Sequence, residues 1–181
     1  MTMIDPAIVP QRTLYTGAKM PAVGMGTFGS DHADADAVSA SVAGALRVGY
    51  RSFDCAACYG NEDMIGKIFA DAFAEGIVKR EELFIASKVW NDMHGDGDVL
   101  IACAKTLKDL KLDYLDMYYV HWPFPNYHAP HCDVDSRNPD SKPFTVERFM
   151  KTWRQMERLV DMGLTKHICM SDKTIPRRDS L

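Results

Sequence analysis

Asp54, Tyr59, Lys88 and His121 are the residues of this chain whose types best suit a shared proton transfer. A phenol with a reference pKa of about 10 becomes a stronger acid when a neighbouring ammonium favours the phenolate, and Lys88 can supply that ammonium. A carboxylate at Asp54 would keep the lysine charged and aimed. An imidazole at His121 would hydrogen-bond the reacting oxygen or relay a proton. Acting together, the four suit a carbonyl that is being reduced. Singly, each has a plainer reading: Asp54 as a loop carboxylate, Lys88 as an exposed strand-end cation, His121 as a hydrogen-bonded core histidine. The chemistry therefore depends on whether the fold brings them together.

Hydrophobic periodicity outlines the elements that would do so. Met20 to Phe28 is a short apolar run with Gly24 and Gly26, expected as a first strand. Asp34 is placed to cap a helix bearing Val38, Val42, Ala45 and Leu46, and Arg51 to Ala56 reads as a second strand. Ile65, Ile68, Phe69, Ala72 and Phe73 recur at helical spacing and lead to a strand over Leu83 to Trp90. Leu100, Ala104, Leu107 and Leu110 mark a third helix ahead of a strand over Leu115 to Trp122. Pro123, Pro125, Pro130, Pro139 and Pro143 predict a long loop. Phe149, Trp153, Met156 and Val160 then predict a fourth helix with Gly163 as its cap, and Thr165 to Ser171 a fifth strand.

Strands and helices alternating in this way predict βαβ units and a parallel sheet. Periodicity leaves two architectures open, a doubly wound sheet and a (β/α)8 barrel. In either, the C-terminal strand ends converge on one mouth. Asp54, Tyr59, Lys88 and His121 all fall at or just past such ends.

Three segments carry a resemblance to a known family. Gly49 to Gly66 (GYRSFDCAACYGNEDMIG), Ala86 to Trp90 (ASKVW) and Tyr119 to Pro123 (YVHWP) resemble, in order and separation, signature segments of the aldo-keto reductases. That resemblance implies a TIM-type (β/α)8 barrel, with residues 1–181 forming a single oxidoreductase domain. It implies reduction of small aldehydes or ketones to alcohols by hydride from NADPH, with NADH the lesser expectation. Tyr59 would be the general acid, Lys88 and Asp54 would tune it, and His121 would orient substrate. Gly26, Thr27, Phe28, Asp54, Ser171 and Asp172 would lie against the cofactor, and Phe28, Trp90 and Trp122 would line the substrate pocket.

The match weakens toward the last residues. Cys169 stands where the family has a glycine. Asp172 stands where an asparagine is expected against the nicotinamide amide, and an ionised aspartate accepts hydrogen bonds but donates none. Lys173 to Leu181, with Pro176 and two arginines, shows no apolar stripe and reads as a solvated tail. About four βα units and a fifth strand make an incomplete barrel, with the late segments that hold the rest of the cofactor expected to be absent. Its first and fifth strands would be open edges, and open edges invite self-association. The alternative function is accordingly a catalytically incompetent chain that acts as an interaction or regulatory protein, or has no independent role.

The 181 residues carry a formal charge of −4, with 46% hydrophobic and 25% charged residues. These are the proportions of a globular chain with no basic footprint for nucleic acid. No apolar run approaches the roughly 20 residues needed to span a bilayer, and a cytoplasmic location with reduced thiols is expected for its five cysteines. Cys55 and Cys58 have C-x-x-C spacing but do not open a helix in this reading. His121, His128, His131, Cys132 and Asp133 lack a paired metal-ligand spacing, so no metal is expected.

Overall fold

The computed structural model describes residues 4–29, 32–128 and 137–171. Five parallel strands form its main sheet: β3 (Met25–Gly26), β4 (Ser52–Asp54), β5 (Phe84–Val89), β6 (Leu115–Val120) and β7 (Thr165–Met170). A separate antiparallel hairpin, β1 (Gln11–Thr13) and β2 (Lys19–Pro21), precedes it. Helices α1 (Ala35–Val48), α2 (Glu62–Ala74), α3 (Asp98–Leu110) and α4 (Val146–Asp161) follow β3, β4, β5 and β6 in turn.

The strand order is the chain order, β3-β4-β5-β6-β7. All four helices contribute to one core, packed with Phe53, Ile85, Val89, Tyr118, Val120 and Ile168 on a single face of the sheet. A doubly wound sheet reverses its strand order and covers both faces with helices. Neither happens here, so the arrangement is an arc of a β/α barrel, strands inside and helices outside.

The other sheet face holds a smaller cluster of Phe84, Ala86 and Met117, with Tyr119 and Cys169 beside it and Leu14 and Met20 of the hairpin region packed against it. Strand alternation produces this division: residues 84 and 86 of β5 face away from the helices while 85 and 89 face them.

Local signals fix the helices. Asp34 caps α1 by accepting the Ala37 amide at 2.8 Å, as its position predicts. Gly49 closes the helix at φ 112°, and a Cβ there would lie 2.5 Å from the Ile4 carbonyl, so only glycine fits. On α2 the buried face is Glu62, Ile65, Gly66, Phe69 and Ala72. Gly66 lets α2 lie directly on the end of α3, since a Cβ would stand 2.0 Å from the Asp109 carbonyl oxygen.

Three expectations are corrected. The apolar run from Met20 to Phe28 is not one strand. Lys19–Pro21 pairs with Gln11–Thr13, and only Met25–Gly26 joins the parallel sheet; Pro21 has no N–H for a central ladder, and apolar composition alone cannot show where one pairing partner gives way to another.

The inward face of α3 is Val99, Ala102, Cys103, Thr106, Leu107 and Leu110, while Leu100 and Ala104 lie outside. The face is rotated from the leucine stripe because Thr106, a polar residue, is satisfied in the core by Glu62 at 3.0 Å. On α4, Leu159 replaces Val160 on the buried side. Among the described residues no helix is long and apolar enough to cross a membrane. The tail from Asp172 to Leu181 lies outside the described residues.

Candidate active site

Alternation within the strands aims the chemistry. Lys88 continues the 84 and 86 face of β5, and register places it beside Tyr119 of β6. His121 follows β6 directly, two residues past Tyr119, and its amide donates to the Val89 carbonyl at 3.1 Å. Asp54 is the last residue of β4, and Tyr59 closes the short 3-10 turn Ala57–Tyr59, which Gly60 ends at φ 66°. The four side chains thus rise from three adjacent strand ends.

Lys88 is the hub. Its Nζ lies 2.8 Å from Asp54 Oδ1, donates to the Cys55 carbonyl at 2.9 Å and donates to the Tyr59 hydroxyl at 3.4 Å. The His121 ring stands edge-on to Tyr59, with centroids 5.8 Å apart. The four residues singled out from their types are therefore brought together.

Burial dominates the electrostatics. It lifts the Tyr59 phenol above its ordinary value, and the Lys88 ammonium pulls the other way without overcoming it. The Lys88 ammonium thus acts in the expected direction, favouring the phenolate, while burial opposes it more strongly. Burial presses Lys88 toward deprotonation, but the Asp54 carboxylate, aided by Tyr59, leaves its pKa above the ordinary value. His121 is pushed down to about 4 by burial and by Lys88, which makes it a neutral imidazole near neutral pH.

Gly26, Thr27 and Phe28 sit at the end of β3 beside this cluster. Thr27 donates to the Asp54 carbonyl from both its amide and its hydroxyl at 3.1 Å, and Asn61 donates to the Thr27 carbonyl at 2.9 Å. Phe28 is 59% exposed, with its ring 5.0 Å from that of Tyr59. A Cβ on Gly26 would meet nothing within 4 Å, so the space beside this strand end is open. Ser171 lies across the mouth, its hydroxyl donating to the His121 carbonyl at 2.7 Å. Asp172, expected beside it, lies outside the described residues.

Trp90 meets His121 edge to face at 5.0 Å and Trp122 at 6.5 Å, so the two tryptophans expected at a pocket lie against one another beside His121. Phe28 meets the ring of Tyr59 at 5.0 Å.

Two residues that sequence reading did not assign also belong here. Glu62 is buried and accepts from Ser87 at 2.5 Å and Thr106 at 3.0 Å, tying α2, β5 and α3 together behind the site. Its place three residues after Tyr59, inside the signature stretch, is the signal that could have found it. Cys58 stands 3.5 Å from His121 Nδ1. The C-x-x-C spacing opens no α-helix: the turn at 57–59 is 3-10, Cys55 and Cys58 are free thiols, and burial pushes the Cys58 thiol up to about 12.

A cavity of about 690 Å³ lies at the opposite end of the strands against Ile8, Pro10, Tyr50 and Phe84 and holds none of these groups. The convergence of polar groups, not that cavity, marks the site. Among the described residues no three His, Cys, Asp or Glu side chains are placed to hold a metal ion, and His131, Cys132 and Asp133 lie outside those residues.

Comparison with known proteins gives the arrangement its kin. The model of the aldo/keto reductase family matches residues 22–181. An aldo/keto reductase of Synechocystis sp. is 43% identical over 164 residues, which cover 91% of this chain and 49% of that protein. Glycerol 2-dehydrogenase (NADP(+)) of Hypocrea jecorina is 44% identical, covering 91% of this chain and 52% of that protein. The crystal structure of an aldo-keto reductase of Bombyx mori in complex with NADP superposes with a TM-score of 0.76 at 34% identity, covering 90% of this chain and 50% of that one. The chain spans about half the length of the curated relatives it matches. The five-stranded arc is correspondingly part of a TIM-type barrel. By sequence and by fold, the chain belongs to the aldo/keto reductase family.

Proposed function

We propose that the chain carries the acid–base machinery of an NAD(P)H-dependent reduction of aldehydes or ketones to alcohols, with Tyr59 as general acid. The observation that carries this reading is the Lys88 ammonium held between the Asp54 carboxylate at 2.8 Å and the Tyr59 hydroxyl at 3.4 Å. Bound NADPH supplies the hydride. The residues of this chain handle the proton: the Tyr59 hydroxyl gives its hydrogen to the carbonyl oxygen, and Lys88 stabilises the phenolate left behind. Asp54 keeps Lys88 charged, and the neutral His121 hydrogen-bonds the same oxygen.

Gly26, Thr27, Phe28, Asp54, Ser171 and Asp172 would hold the nicotinamide end, and Phe28, Trp90 and Trp122 would receive the substrate. NADPH is favoured over NADH because two of the relatives, the NADP-dependent D-sorbitol-6-phosphate dehydrogenase of Malus domestica and the glycerol 2-dehydrogenase (NADP(+)) of Hypocrea jecorina, are named for NADP. Residues 1–181 are proposed to act as one domain. A cytoplasmic location fits the free thiols of Cys55, Cys58, Cys103 and Cys169.

Fluorescence titration tests the binding: quenching by micromolar NADPH, followed by NADPH oxidation with short aldehydes, is the expected result. Failure to bind NADPH or NADH at millimolar concentration would overturn it. A second reading is favoured by β3 and β7, each of which pairs on one side alone among the described residues. An interaction role through those edges predicts association, and a monomer by light scattering at all concentrations tells against it.

A further inference from the structure

We propose that Cys58 is a positioning residue: its thiol donates to His121 Nδ1 and fixes the imidazole as the Nε2–H tautomer, leaving that N–H as the donor for the carbonyl oxygen. The inference rests on the carbonyl-reduction reading for the use of His121, but the hydrogen bond itself does not.

The geometry singles out this pair. Cys58 Sγ lies 3.5 Å from Nδ1, within reach of a sulfur hydrogen bond, at the turn that also delivers Tyr59. The ring is enclosed around that contact. Trp90 of the β5 end lies edge-on at 5.0 Å, Tyr59 at 5.8 Å, and Ser171 of the β7 end holds the His121 backbone carbonyl. The charged group facing it is Lys88, which can donate but cannot accept.

A neutral imidazole has one donor nitrogen and one acceptor nitrogen, and the partner of one decides the role of the other. The thiol is both a weak donor and a weak acceptor, whereas an unprotonated imidazole nitrogen is a good acceptor. S–H to Nδ1 is therefore the better of the two pairings. The alternative would aim Nδ1–H at a poor acceptor. Burial keeps both partners neutral near pH 7, the thiol pushed up to about 12 and the imidazole down to about 4.

The assignment is separable from redox chemistry, because the contact needs the reduced thiol and no electron transfer. It also explains why a cysteine here need not be reactive: its hydrogen, not its sulfur lone pair, is what the site uses.

The ring nitrogens report the outcome directly. In the full 181-residue chain labelled with 15N, two-bond 1H–15N spectra, with His121 identified by its loss in His121→Gln, are expected to show a single Nε2–H tautomer near pH 7. Cys58→Ala should populate the Nδ1–H form, and Cys58→Ser, which keeps a donor, should restore the wild-type pattern. Nδ1–H in the wild type, or an unchanged Nε2–H tautomer in Cys58→Ala, would overturn the proposal.

If turnover is measured, Cys58→Ala should lower kcat about 2- to 10-fold, the worth of one modest hydrogen bond. The KM for NADPH should stay unchanged and the serine variant should recover. A chain with the expected tautomer and no carbonyl reduction would sink the proposed reaction and leave the Cys58–His121 pairing standing.

Discussion

Lys88 and Asp54 meet at 2.8 Å across a boundary in solvent access, the lysine side chain 8% exposed and the aspartate 51%. The cation is buried and its counter-ion reaches out to the mouth. Burial alone would drive Lys88 toward neutrality; the carboxylate reverses that. Asp54→Asn removes the reversal. Carbonyl reduction should fall about 10- to 100-fold, the range of a lost charge-assisted hydrogen bond, and the alkaline limb of the kcat profile should move to lower pH. The same linkage has a stability arm. With the folded pKa raised, the contribution of Lys88 is complete below its unfolded value of about 10.5 and is lost as pH rises through the folded value. Urea midpoints measured from pH 9 to 11 should therefore decline less steeply in Asp54→Asn than in the wild type.

Tyr59→Phe removes the proposed proton donor and little else. The ring can keep its contacts with Phe28 and His121. Turnover should fall about 100- to 10,000-fold, the usual worth of a positioned general acid, with an unchanged far-UV spectrum. Near-normal turnover would remove the tyrosine from the mechanism.

His121 and His94 are both pushed down to about 4, chiefly by burial. In the unfolded chain they take up protons near pH 6.5. The stability they hold by remaining neutral is complete above about pH 6.5 and drains as pH falls toward 4, where the folded state protonates as well. Urea unfolding at pH 7, 5.5 and 4.5 should show this decline, and His121→Asn should make it shallower. A flat profile over that window would mean that the rings are not desolvated as the fold implies.

Gly66→Ala sets two effects against each other. Alanine favours the helix by about 1 kcal/mol. Its Cβ would stand 2.0 Å from the Asp109 carbonyl and 2.7 Å from the Leu110 backbone, neither of which is a flexible side-chain end. The helices must separate, at a cost of about 1–3 kcal/mol or more. Net destabilisation is expected in thermal unfolding. A raised Tm would show that α2 and α3 are not locked at this contact.

Much of the architecture was legible because strand and helix periods differ and because caps such as Asp34 announce themselves. Lys88 and His121 were legible for a further reason: each stands at or just past the C-terminal end of an apolar strand, where a polar side chain can reach the mouth of the sheet. What escaped was pairing. Nothing in Met20–Phe28 says that its first residues belong to a hairpin and only Met25 and Gly26 to the sheet. The true face of α3 escaped because Thr106 looks polar until its partner Glu62 is known. Cys58 escaped because its partner lies 63 positions away. The weight of burial on Tyr59 escaped because burial is a property of the packed fold, not of neighbouring residue types.

The order of the sheet bears on how the chain comes to be folded. Met25 pairs with Phe53, Phe53 with Ile85, Ala86 with Met117, and Met117 with His167, so each strand docks on the one made just before it. Each of these pairings encloses one connecting helix rather than waiting for a strand from a distant part of the chain. Each new strand thus meets a partner already made, and Lys88 and Asp54 are brought together by β4 and β5 with no pairing contributed by β6 or β7.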